Sequence, residues 1–271
     1  MPLLWSYGWS YGEDEQIRRR GRRERVHQQM DLTVPQPLAL PMPGVVPVWQ
    51  LPCAAAQLAR SHWQAWLSPE ERDRAQQYRH PRDRDRFILG RGGLRYLLAS
   101  YLGIAPTAIQ LGYGPHGKPY LRAPHAANMH FNVAHSGDWV IWGFSHSPHI
   151  GVDVETLQPR RSLSGLMQRC LTVAERDQLP PDPLAQLEIF LRYWTIKEAH
   201  LKAIGLGLSY SLQAVQVALQ PTPQIMRAAH IPGQPVLPWG VQLWQPGPGA
   251  IAAVCVDQTQ YSLQLLTLGN C

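Results

Sequence analysis

The sequence predicts an α+β protein built from two similar halves, and three observations carry that expectation. Stretches with helical apolar spacing are followed by short apolar segments of strand length, and this order occurs twice. Glycines close the long helix of each round, with Gly103 and Pro106 in the first and Gly205-Leu206-Gly207 in the second. The 271 residues are 45% apolar and 16% charged, enough to bury a substantial core and too apolar for a disordered chain. The expected division is a disordered extension over 1–43, an N-terminal half over 44–150 and a C-terminal half over 151–271.

The extension runs from Tyr, Trp, Gly and Ser through Arg18-Arg19-Arg20-Gly21-Arg22-Arg23 to the proline-rich Pro35-Gln36-Pro37 and Pro41-Met42-Pro43-Gly44. Met30 stands as an alternative start. Pro52 to Leu67 has helical spacing, and Ser68-Pro69-Glu70-Glu71 opens the next helix with an N-cap serine, a first-turn proline and dipole-favoured acids. Asp83 to Leu102 is a longer amphipathic helix with Phe87, Ile88, Leu94, Leu97, Leu98 and Tyr101 on one side. Strands are expected at 110–113, 129–134, 139–144 and 150–155. Helices then cover 162–170, 172–179 and 184–204, followed by strands at 214–219, 241–244, 251–256 and 261–266.

The formal net charge of +6 is unevenly placed. Residues 72–95 hold eight Arg against three Asp, so an anionic partner should meet that helical zone. Cys53, Cys170, Cys255 and Cys271 form no C-x-x-C pair, which argues against thiolate metal sites and fits a reducing cytosol. No apolar run is long enough to span a bilayer, and no signal peptide is visible, so a soluble cytoplasmic protein without membrane attachment is expected.

Only three lysines stand among twenty-two arginines, so Lys118, Lys197 and Lys202 mark places that want a compact ammonium rather than a planar fork. In Ile150-Gly151-Val152-Asp153-Val154-Glu155, strand alternation turns Asp153 and Glu155 to one face and Val152 and Val154 to the core. Two parallel carboxylates repel unless a cation or proton neutralises them, and hard oxygen ligands suit Mg²⁺. An edge strand with two solvated acids remains open on this evidence. Trp194, Glu198 and Lys202, spaced i, i+4, i+8, share a helix face that can offer a third carboxylate and a phosphate-neutralising ammonium. A simple surface Glu198–Lys202 pair is the plainer alternative.

Gly151-Val152-Asp153-Val154-Glu155 followed by Trp194-x-x-Lys197-Glu198-Ala199-x-x-Lys202-Ala203-x-Gly205 resembles the signature pair of 4′-phosphopantetheinyl transferases. The likeness is to the single-chain, surfactin-synthetase-activating type. Gly117-Lys118-Pro119 and Phe131-Asn132-Val133-Ala134-His135-Ser136-Gly137 match two further motifs of that family, in the right order. The resemblance implies two pseudo-symmetric α/β halves with a ligand cleft between them. It also implies transfer of phosphopantetheine from coenzyme A to a serine of an acyl, peptidyl or polyketide carrier protein.

By the same resemblance, Asp153, Glu155 and Glu198 bind Mg²⁺, with Mn²⁺ an alternative. Lys202 sits on the phosphates with Lys197 nearby, and Lys118 reaches the nucleotide phosphates. Arg86, His135, Ser136 and, less closely, Arg74 belong to the coenzyme A site. The motif usually has Ser where this chain has Ala134, so one hydroxyl contact is lost. Glu175 falls where a general base is proposed, with Lys197 or a metal-bound water as rivals and an ordinary first-turn acid as the plainer reading.

Eleven histidines form no zinc spacing, since His125, His130 and His135 recur every five residues and share neither a helix nor a strand face. Trp139, Trp142, Trp194 and Trp244 read as core, and Gly90-Arg91-Gly92-Gly93 as close helix packing rather than a phosphate loop. Two rival functions follow from the same residues: an Arg-rich nucleic-acid module and a Mg²⁺-dependent hydrolase of coenzyme A or a nucleotide. The placed lysines and acidic strand argue against the first. Two internal halves make a monomer the expected state, with no nucleic-acid partner.

Overall fold

The computed structural model describes residues 23–27 and 31–268 apart from 58, 125–128, 159–161, 208–209, 230–232 and 234, with side chains described from residue 31 onward. Strands β1 (Arg23–His27) and β2 (Val45–Pro52) are followed by helices α1 (Arg60–Ala65), α2 (Pro69–Gln76) and α3 (Pro81–Leu102). Strands β3 (Leu111–Tyr113), β4 (Pro119–Leu121), β5 (His130–Ser136), β6 (Trp139–Ser145) and β7 (Ile150–Thr156) come next. The second round has helices α4 (Leu163–Cys170), α5 (Val173–Arg176) and α6 (Pro183–Ile204). It ends in strands β8 (Gln216–Ala218), β9 (Gln224–Arg227), β10 (Gly240–Trp244), β11 (Ala250–Val256) and β12 (Ser262–Thr267).

Two sheets lie face to face between two long helices. The larger has the order β1-β12-β2-β6-β5 and the smaller β10-β11-β7. Period-two alternation explains the layers. On β2, Val46 and Val48 face the other sheet, while Trp49 and Leu51 face α3. On β7, Ile150, Val152 and Val154 meet the larger sheet, so Gly151, Asp153 and Glu155 turn toward α6.

From Phe87 to Tyr101, α3 is buried at every residue but Arg91. Trp63 and Trp142 lie against Gly92 and Gly93, where any side chain would clash with them. Each of these fully buried indoles hides roughly 200 Å², about 5 kcal/mol at ~25 cal/mol/Å². Trp142 and Trp244 are core residues as expected, while Trp139 and Trp194 are only half-buried.

The two halves repeat one device. In the first, Ser68 and Glu71 form a capping box at the start of α2, and Glu71 Oε2 accepts from Arg95 Nε at 2.7 Å. In the second, Thr172 and Glu175 form a capping box at the start of α5, and Glu175 Oε2 accepts from Lys197 Nζ at 2.6 Å. Arg95 donates onward to the carbonyls of Pro106 and Ile109, and Lys197 to those of Cys170 and Leu212. Both long helices carry a first-turn proline and end on a glycine in the left-handed region, Gly103 and Gly205.

Several sequence expectations need correction. Residues 31–43 were expected as part of a disordered extension, yet Leu32 is buried, Trp63 Nε1 donates to Leu32 O and Tyr96 Oη to Asp31 O. Residues 23–27 form β1, a parallel edge strand on β12, whereas 1–22 and 28–30 lie outside the described residues. Strand β12, expected in the second half, lies between β1 and β2 in the sheet of the first, so a cut at 150/151 does not separate the sheets. Strand β2 was not expected because Pro47 interrupts it. Pairing with β6 begins only at Val48, so the missing N–H of Pro47 breaks no bond on that side.

Candidate active site

The site forms where β5, β7 and α6 meet. Gly151 determines how close the strand and helix come. A Cβ there would collide with the carbonyl oxygen of Ala199 and the nitrogen of Ala203, so β7 rests on the α6 backbone. This contact brings Asp153 under the last two turns of α6. Asp153 and Glu198 are buried, and Lys202 Nζ donates to Asp153 Oδ1 at 2.7 Å. Asp153 Oδ2 is buried and accepts no hydrogen bond from the protein.

The electrostatics record the crowding. Burial pushes the Asp153 carboxyl up to about 6, Glu155 adds to the shift and Lys202 opposes it. Burial likewise raises Glu198 to about 7, with Asp153 and Glu155 adding and Lys202 opposing. The three acids named from the sequence therefore act on one another although Glu198 is distant in the chain. Among the described residues, no three His, Cys, Asp or Glu side chains are gathered tightly enough to grip a metal ion as they stand. Lys202 supplies the countercharge to Asp153.

Strand β5 adds the opposite wall. Ser136 Oγ donates to Glu155 Oε2 at 3.0 Å. Asn132 is buried, and its Oδ1 accepts from Val152 N at 2.9 Å, which links the two sheets and fixes β5 against β7. Sequence reasoning quoted Asn132 without a role; a buried amide two strands from the acids was the signal. His135 is exposed at its edge and packs over Gly90 of α3, and desolvation on that packed side, with Lys202 and Arg86 nearby, holds its pKa below the ordinary histidine value. Arg86 Nη1 donates to Gly137 O at 3.3 Å and its Nη2 pairs with Asp83, while its buried Nε has no partner. Arg74 is exposed, with its guanidinium 5.6 Å from the Phe87 ring centre.

The remaining candidates stand apart from the acids. Glu175 Oε2 accepts from Thr172 N and Lys197 Nζ, and its Oε1 from Val217 N. Lys197 is fully buried and spends its ammonium on Glu175, Cys170 O and Leu212 O. Burial lowers the lysine's pKa and Glu175 opposes the shift. The pair named from the sequence as catalytic candidates thus has its polar atoms engaged inside the core. Lys118 Nζ donates to Ile150 O at 3.0 Å and Ala203 O at 2.8 Å, main-chain partners rather than an open phosphate position.

Comparison with known proteins identifies the family. A family model described as 4′-phosphopantetheinyl transferase, N-terminal, matches residues 55–146, and one for the 4′-phosphopantetheinyl transferase superfamily matches residues 149–255. The 4′-phosphopantetheinyl transferase HetI of a Nostoc species is 34% identical over 213 residues, 78% of this chain and 87% of its own. The Sfp transferase of Bacillus subtilis is 30% identical over 207 residues, 76% of this chain and 89% of its own. A human relative, L-aminoadipate-semialdehyde dehydrogenase-phosphopantetheinyl transferase, is 31% identical over 186 residues, 64% of this chain and 60% of its own. Matched in both halves and along most of the length of its bacterial relatives, this chain belongs to the 4′-phosphopantetheinyl transferase superfamily.

Proposed function

We propose that this protein transfers the 4′-phosphopantetheine arm of coenzyme A to a serine hydroxyl of an acyl- or peptidyl-carrier protein. The serine oxygen forms a bond to the β-phosphorus, and the bond from that phosphorus to the bridging anhydride oxygen breaks. Adenosine 3′,5′-bisphosphate leaves with the electron pair, and the hydroxyl proton passes to a carboxylate. The observation that supports this most is the convergence of Asp153, Glu155 and Glu198 with Lys202 in one partly buried site.

The raised pKa values of Asp153 and Glu198, to which the Glu155 charge contributes, and an orphaned buried oxygen fit a hard divalent cation by charge and donor chemistry. Asp153, Glu155 and Glu198 would hold Mg²⁺, or Mn²⁺ in its place, and the bound ion would polarise the pyrophosphate as a Lewis acid. Lys202 keeps Asp153 oriented and has further N–H groups for phosphate oxygens. Arg86, with its unpartnered Nε, and His135 face the nucleotide phosphate, and Arg74 contributes positive charge from α2. Ser136 holds Glu155 in place. Glu175, the candidate carboxylate outside that set, is held by Thr172 N, Lys197 Nζ and Val217 N.

We take the protein to be a monomer and place it in the cytosol, the latter supported by the free thiols Cys53, Cys170 and Cys255. Among the described residues no helix is long and apolar enough to cross a membrane. Incubation with coenzyme A, Mg²⁺ and an apo-carrier protein tests the activity. Intact-mass spectrometry should show the carrier gaining one phosphopantetheine as adenosine 3′,5′-bisphosphate appears. Nucleotide release at the same rate with no carrier present would replace transfer by hydrolysis.

A further inference from the structure

We infer that Lys118 is a positioning residue whose ammonium clips β7 to the C-terminal turn of α6, setting the spacing between the acidic strand and the acid-bearing helix. The inference rests on the transfer reading above. Its two bonds reach the two elements that carry the acids. Ile150 opens β7 three residues before Asp153, and Ala203 directly follows Lys202 on α6. Carbonyls in the last turn of a helix lack intrahelical donors and carry the negative end of its dipole, so a cation there satisfies one and is held by the field.

The contact that Lys118 spans is held at its other end by Lys202, whose ammonium bonds Asp153 Oδ1. At Gly151 the strand rests directly on the helix backbone, and the two polar ties flank this contact, Lys202 to Asp153 farther along β7 and Lys118 to Ile150 and Ala203 at the start of β7. A shift of about one ångström would change the separation of Asp153 and Glu198, and reacting geometries tolerate errors of that size poorly. The lysine arrives from the β3–β4 hairpin just after Gly117, whose φ of 79° turns the chain toward the helix end. Its stem passes Gly205, the glycine that ends α6. A tetrahedral ammonium can bond acceptors on two elements at once, whereas a guanidinium fork favours acceptors lying in one plane. This accounts for lysine at 118 in a chain whose positive charge is mostly arginine.

Two full-length variants test the clip, Lys118→Met and Lys118→Arg. Titration calorimetry with Mg²⁺ alone, hydrogen exchange at the amides of 152–155, and steady-state transfer with coenzyme A and an apo-carrier protein are measured for each. Expected for both are faster exchange, weaker Mg²⁺ binding and a kcat reduced about tenfold or more, with KM for coenzyme A changed less than about threefold. A KM raised about tenfold at unchanged kcat in Lys118→Met, with normal values in Lys118→Arg, would make Lys118 a phosphate ligand and overturn the clip. Should Lys118→Met not fold, Lys118→Arg decides alone: wild-type exchange and Mg²⁺ affinity refute the inference. Exchange and calorimetry need no turnover. A wild-type protein inactive on carriers would therefore remove the transfer reading while the clip is still judged on those two measurements.

Discussion

Three lysines in this chain do three different jobs, and burial separates them. Lys202, with 28% of its side chain exposed, bonds Asp153 and stays within reach of a ligand, whereas Lys197 is fully enclosed and Lys118 spends two donors on backbone. Asp153→Asn and Glu198→Gln should each lower transfer by about 100-fold or more, the scale on which one preorganised electrostatic group acts. Their melting temperatures should not fall, because each change removes a buried like charge. Carrier mass gain and thermal melts give both readings.

The same two acids fix a pH dependence. Their folded values, about 6 and about 7, lie above the ordinary 3.8 and 4.5, so the folded protein binds more protons than the unfolded chain between those limits. Stability of the cation-free protein should therefore fall as pH rises from about 4 to about 7. Added Mg²⁺ should raise the melting temperature more at pH 8 than at pH 5, and equal gains at both would contradict the assignment. The acids were legible because strand and helix periods fix the facing of Asp153, Glu155 and Glu198. Glu175 was not, because a first-turn glutamate reads the same whether it caps a helix or accepts a proton.

At the scale of elements, the repeated pairs Glu71–Arg95 and Glu175–Lys197 tie each short helix to its long neighbour. Removing one member leaves a buried charge uncompensated, so Lys197→Met should destabilise the fold by about 3–5 kcal/mol. Urea denaturation measures that loss, and transfer per folded molecule should stay near that of the unmodified chain. Caps and long helices were readable in the sequence, since Ser68-Pro69-Glu70-Glu71, Gly103 and Gly205 signal backbone geometry directly. Strands β4 and β9 are short and β2 contains Pro47, so local patterning carried little of their signal; their pairing comes from neighbours distant in sequence.

For the whole molecule, the sequence shows helices then strands occurring twice, but order along a chain does not state which strands pair. Strand β12 pairs with β2 in parallel from Val45 to Gln50, and Leu263 and Leu265 fill the layer between the sheets. Expressed separately, 31–150 and 151–271 should each lack cooperative unfolding by circular dichroism, and mixing or co-expression should restore it. A cooperative melt from 31–150 alone would show that the first half does not need its borrowed strand.

That borrowed strand also sets a timetable for biosynthesis. The segment completing the earlier-made sheet leaves the ribosome long after β2, so the nascent protein must wait with an open, apolar-sided edge until β12 emerges. Slow emergence of β12, or termination before it, should therefore yield a species prone to clumping rather than a smaller working enzyme.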